Sequence, residues 1–174
     1  MRIMTALVAT TLLALPACKD DAEEIGKFTV DLNGNNMEFI STIDSDGRSS
    51  IRTMSPGGVK LILIDGFAGT KDGEPDLPVI SMSLQSGITN NSMSLSFVQV
   101  FDESYETVLS AEGQFGQKQM ENLTIGDDGS ISFDFSADLV RITTQSEEPI
   151  AGADGAHIEG HFSGKIPASE QQEK

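Results

Sequence analysis

The chain has 174 residues and a formal net charge of −16, from 27 acidic residues against 11 basic ones. A surface this acidic repels nucleic acid and anionic lipid headgroups, which excludes both as partners of the folded body. A single cysteine excludes an intrachain disulfide; with no Trp and only one Tyr, any core must rest on Ile, Leu, Val, Met and nine Phe.

Arg2 is the only charge before Lys19, and Ile3 to Leu15 is apolar or small throughout. A membrane-spanning helix needs roughly 20 apolar residues, so this run is too short to span. A positive start, a short apolar stretch and a small residue at its end describe an export signal, and residues 1–17 are set aside from the fold. The stretch that follows, Leu15-Pro16-Ala17-Cys18, resembles the lipobox of bacterial lipoproteins. A branched apolar residue stands three places before the cysteine, and a small residue stands just before it. The resemblance implies that Cys18 becomes the first residue, with a diacylglycerol on its sulfur and usually a further acyl chain on its amine. Two or more chains hold a protein stably at a membrane, where one holds it only marginally. The alternative is an ordinary signal cut after Ala17, leaving a free thiol. In an oxidising compartment a lone exposed thiol is a liability, whereas an acylated one is an anchor. Lys19, where an Asp would imply inner-membrane retention, points to the outer membrane, facing the periplasm.

Removal of residues 1–17 leaves 157, which suits one domain able to bury roughly two-thirds of its surface. Residues 18–25 read as a lipidated cysteine and tether, 26–166 as the domain, and 167–174 as a disordered polar tail. Within the domain the dominant hydrophobic period is two. Phe28, Val30 and Leu32 share one face of a first strand, and "NGNN" is the turn into a second carrying Met37, Phe39, Ser41 and Ile43. "VKLILI", residues 59–64, is nearly continuous apolar and suits a central strand covered on both faces. Ile80, Met82 and Leu84 alternate with Ser81, Ser83 and Gln85; Met93, Leu95 and Phe97 alternate with serines. Glu103 to Glu112 is the nearest approach to a helix, though Thr107-Val108 fits a strand as well. Ile131 to Leu139 and Ile158 to Ile166 alternate over their whole lengths. Phase slips at Phe97-Val98 and Leu139-Val140 mark bulges, or strands that pass between two packing environments.

Turn chemistry separates these runs at Asp44-Ser45-Asp46-Gly47, Pro56-Gly57-Gly58, Asn90-Asn91, Asp127-Asp128-Gly129 and Asp154-Gly155. Roughly nine or ten strands with one wet face each predict an all-β fold, an antiparallel β-sandwich or barrel. Gly66–Pro78 and Gln145–Ala156, acidic and rich in Gly or Pro, read as long connections. The opening "FTVDLNGNNMEF" and the closing "IEGHFSGKI" are similar to the ends of small uncharacterised β-rich lipoproteins of bacterial envelopes. That resemblance implies a sandwich or barrel and carries no catalytic residues.

Candidate chemistry is sparse. On a strand, His157 and His161 lie roughly 13 Å apart, too far to share an ion. Asp44 and Asp46, with Asp127 and Asp128, offer carboxylates in turns that suit calcium, but Asp-Gly is also common hairpin chemistry. Ser55 stands where an EF-hand would need its bidentate Glu. His161 and Ser163 share a strand face at roughly 6–7 Å, beyond hydrogen-bond reach, and no G-x-S-x-G elbow is present. The reading is a non-catalytic envelope lipoprotein without a cofactor: a binding or structural accessory module attached to the membrane through Cys18, with an envelope protein as partner. The alternative is a β-barrel lipoprotein that binds calcium or a small apolar ligand.

Overall fold

The computed structural model describes residues 22–71, 74–87 and 92–171. Cys18 and the signal stretch lie outside them. Ten strands follow one another: β1 (Glu23–Leu32), β2 (Asn35–Ile43), β3 (Ile51–Met54), β4 (Leu61–Lys71), β5 (Glu74–Ser86), β6 (Met93–Phe101), β7 (Thr107–Glu112), β8 (Gln117–Ile125), β9 (Ser130–Thr143) and β10 (Ala156–Lys165). Eight of them close on themselves in the order β1-β2-β4-β5-β6-β7-β9-β10, with β10 returning to β1; β3 is added on β4 and β8 on β9. Every pairing is antiparallel. Closure settles the choice between sandwich and barrel, and it pairs the edges that an open sheet would expose. Residues 103–112 form no helix: their second half is β7.

The period-two pattern is the reason for the barrel's wall. Alternate residues of each strand face inward, and Phe28, Phe39, Phe133 and Phe162 are fully buried there. The rings pack on one another, with centroids 4.5 Å apart for Phe28–Phe162 and 5.4 Å for Phe133–Phe162. Glycine makes room for them. A Cβ on Gly66 would lie 2.7 Å from the Phe28 ring, and one on Gly164 2.7 Å from that of Phe162. Five phenylalanines seated partly on bare backbone thus fill the middle of the barrel, where burial of each ring stabilises by about 1.5–3 kcal/mol.

Both phase slips have a structural cause. Ser83 faces Phe97 while its neighbour Leu84 faces Leu95, so β6 carries one extra residue and its inward set moves from Leu95 to Val98. On β9 the slip falls where one neighbour replaces another: Asp138 pairs with Gln117 of β8, and Val140 with Ser110 of β7. In β4 Ile62 and Ile64 face inward, while Leu61 and Leu63 are half-buried on the outside. The strand is central, but its outer face is covered only in part.

Two expectations are corrected. Gly66–Pro78 is not a loop: β4 and β5 run on as a hairpin, pairing Gly69 with Asp76 and Lys71 with Glu74. Ladder hydrogen bonds need backbone groups rather than apolar side chains, so the Gly/Pro-rich composition concealed the strands. The C-terminal segment from Pro167 is, as far as Gln171, a docked turn rather than a disordered tail. The Thr53 N–H donates to Glu170 Oε2 at 3.0 Å, the Thr53 hydroxyl bonds the Glu170 carbonyl, and Gln171 Nε2 donates to the Ile166 carbonyl at 2.9 Å. The short β3 presents an N–H to this turn, and Glu170 satisfies it.

Candidate functional site

The outer face of β1, β10, β9 and β8 is built from the polar alternates of four strands. Register places Thr29, His161, Asp134 and Glu121 in one cross-strand row, and Asp31, Glu159, Ser136 and Gln119 in the next. A groove of about 460 Å³ crosses these rows, with Asp31, Glu121, Asp134 and Glu159 in its wall and Val30, Gly160 and Phe135 in its floor. Among the described residues no Lys, Arg or His lines it. The floor depends on Gly160: a Cβ there would lie 2.5 Å from the Thr29 carbonyl oxygen and 2.9 Å from Val30 Cγ1. The β8 wall depends on a bulge between Glu121 and Thr124, at which Asn122 takes a left-handed φ of 53°.

At the groove's edge the same register assembles a hydrogen-bonded chain. His161 Nδ1 lies 2.7 Å from Asp134 Oδ1, and His161 Nε2 lies 3.3 Å from Ser132 Oγ. Asn122 Nδ2 donates to the other Asp134 oxygen at 2.6 Å. The Asn122 amide, then the His161 imidazole, hold the Asp134 carboxyl below its usual range. An ionised carboxylate only accepts hydrogen bonds, so Nδ1 carries the ring proton. In the neutral imidazole Nε2 is then bare, and the Ser132 hydroxyl donates to it. His157 Nδ1 makes a matching contact with Asp138 Oδ1, also at 2.7 Å. Each histidine has its own carboxylate.

Sequence reasoning set His161 beside Ser163 and dismissed the pair on distance. It missed Ser132 and Asp134, which are 29 and 27 positions away in the chain. The signal available was the alternation itself. It places Asp134 and His161 on the same wet face, but aligning the runs 131–139 and 158–166 end to end sets Asp134 opposite Ser163; the observed register is offset by two residues and sets it opposite His161.

The proposed calcium ligands occupy turns whose own donors engage them. Asp44 Oδ1 accepts the N–H groups of Asp46 and Arg48 at 3.0 and 2.8 Å, and its Oδ2 accepts Arg48 Nε at 2.7 Å. Asp46 Oδ2 accepts Arg48 Nη2 at 3.1 Å. The Arg48 N–H is the largest cause holding the Asp44 carboxyl below its usual range. Asp128 Oδ1 accepts the Ser130 N–H at 3.0 Å, and the Ser130 hydroxyl lowers that carboxyl most. Asp127 shares the β8–β9 turn with Asp128. Among the described residues no three or more His, Cys, Asp or Glu side chains are gathered as metal ligands, so the two acidic turns do not combine into one site. The lipidation site proposed at Cys18 lies outside the described residues.

Set against protein-family models, curated proteins and solved structures, the chain matches none.

Proposed function

We propose that this protein is a bacterial envelope lipoprotein, anchored through Cys18 in the outer membrane and facing the periplasm, whose barrel is a binding module. Its ligand is a Lys- or Arg-rich segment of a partner protein, held in the groove between β1 and β8. The single observation that carries this reading is the groove's lining, which among the described residues sets four carboxylates against no cationic side chain. The barrel's filled interior favours the outer wall over the lumen as the place of binding. Strand β1 begins at Glu23, five residues after Cys18, a span of at most about 18 Å when extended. Asp31 stands near the opposite end of β1, so the groove opens away from the anchored rim.

Two measurements test the two parts. Cys18→Ala should release the protein from membranes and abolish fatty-acid labelling; retention with unchanged labelling contradicts the anchor. For the groove, titration of the barrel with a lysine-rich peptide should move the amide resonances of Thr29, Asp31 and Glu159. Affinity should fall steeply between low and high salt, because the contacts are exposed and screened. Equal binding of a glutamate-rich peptide, or affinity indifferent to salt, ends the groove reading.

A further inference from the structure

We propose that Ser132 is a nucleophile for acyl transfer from carboxylic esters, with His161 as its general base and Asp134 and Asn122 as the groups that position the imidazole. This goes beyond the binding role and departs from the expectation of a non-catalytic module. Three observations meet here. The nitrogens are the right ones: the carboxylate takes Nδ1–H and the hydroxyl faces bare Nε2, the order of contacts that lets an imidazole accept a serine proton. The orienting carboxylate is itself held, with one oxygen on His161 and the other on Asn122. Finally, Asn122 reaches Asp134 from a β-bulge in a left-handed conformation, which is costly for a residue with a side chain and which the surrounding sheet must sustain. Bulges concentrate beside active sites because they re-aim a side chain, and this one aims an amide at the carboxylate.

The step balances within these groups. Ser132 Oγ bonds to the acyl carbon while its proton passes to His161 Nε2. The ester C–O bond breaks, and the alcohol leaves with that proton. Water then attacks the acyl-serine, giving one proton to Nε2; the acyl–Oγ bond breaks and Oγ takes the proton back. Because the row lies on the open outer wall, with His161 and Asp134 each about half exposed, substrate reaches it without entering the barrel.

The test uses the purified chain and a fluorophosphonate probe, in which Oγ displaces fluoride and the serine proton again goes to His161. Labelling should map to Ser132 by peptide mass and vanish in Ser132→Ala. The rate should fall about hundredfold or more in His161→Ala, the range expected for loss of a general base. It should fall about tenfold in Asn122→Ala, and it should not change in Ser163→Ala. p-Nitrophenyl acetate should give an acetyl group on the same serine. All of these are surface positions, and unchanged circular dichroism spectra establish that the variants fold. No labelling, labelling on another residue, or Ser132 labelling at an equal rate in His161→Ala each overturns the proposal.

Discussion

The barrel's two outer walls are made by the same alternation yet differ in kind. On one, across β1, β10, β9 and β8, the cross-strand rows of outward positions are polar throughout, built from Ser, Thr, Asp, Glu, Gln, His and Lys. On the other, Ile40, Phe67, Val79 and Phe101 stand in one cross-strand row, and Val108 faces Ile142 on the neighbouring pair. Val79, Val108 and Ile142 are only 7%, 2% and 3% exposed, although they lie outside the core cluster. Tyr105, with its ring centroid 5.6 Å from that of Phe101, extends this apolar layer. A closed barrel needs only its inner face to be apolar. The second wall uses outward positions to add stability; the first keeps them hydrated, where titratable and nucleophilic groups remain available.

The sharpest way to break this contrast is to exchange chemistry between the walls. Val108→Asp should destabilise by about 3 kcal/mol or more, since a buried carboxylate would have no partner. Ser163→Asp, on the wet wall opposite Lys27, should change stability by less than about 0.5 kcal/mol. Urea unfolding of the two variants measures the difference, and similar midpoints would erase the distinction between the walls.

Next in size is the ion pair at the upper end of the barrel. Arg141 donates to Asp102 through both terminal nitrogens, at 2.9 and 2.6 Å, and the two side chains are 20% and 23% exposed. Arg141→Ala should cost about 2–3 kcal/mol at neutral pH by leaving a largely buried carboxylate without its charge partner. The hydrogen bond from Arg141 holds the Asp102 carboxyl below its ordinary value of 3.8. A carboxyl lowered on folding contributes stability above its unfolded pKa and loses it as pH falls through the folded one. The gap between variant and parent should therefore persist from neutral pH to about pH 4 and narrow below it. A gap that closes by pH 6 would assign the stabilisation to other groups.

Smaller effects sharpen the comparison. Ser110 is fully buried between the walls' strands β6 and β9, and its Oγ makes no hydrogen bond among the described residues. Ser110→Ala should raise stability by about 1 kcal/mol, because an unsatisfied hydroxyl is removed; a loss of that size would show that the hydroxyl is satisfied. Least of all should be Asn122→Gly on the wet wall. Glycine relieves the left-handed strain while the Asp134 amide contact is lost, so the melting temperature should change little as Ser132 labelling slows. A large fall in melting temperature would make Asn122 a structural residue instead.

Much of the wall was legible from alternation alone: the inward Phe28, Val30, Ile131 and Phe162, the "NGNN" turn, the bulge in β6, and the point on β9 where the strand passes from one packing environment to another. The hairpin of residues 66–78 was not, because backbone pairing leaves no apolar imprint on Gly, Pro and Asp. Nor was the clamp of Glu170 on Thr53, a contact between residues 117 apart. Of the candidate site, His161 was visible as a residue, but its partners Ser132, Asp134 and Asn122 looked like ordinary wet-face positions.

The period of two, the turn residues and the lack of any long amphipathic run determine an antiparallel all-β chain, because side-chain direction in a strand follows position alone. Closure into a barrel, the outward apolar row and the chain from Ser132 through His161 to Asp134 were decided only by tertiary structure. Each depends on which strand lies beside which and in what register, and a shift of one residue would turn every one of those side chains to the opposite face.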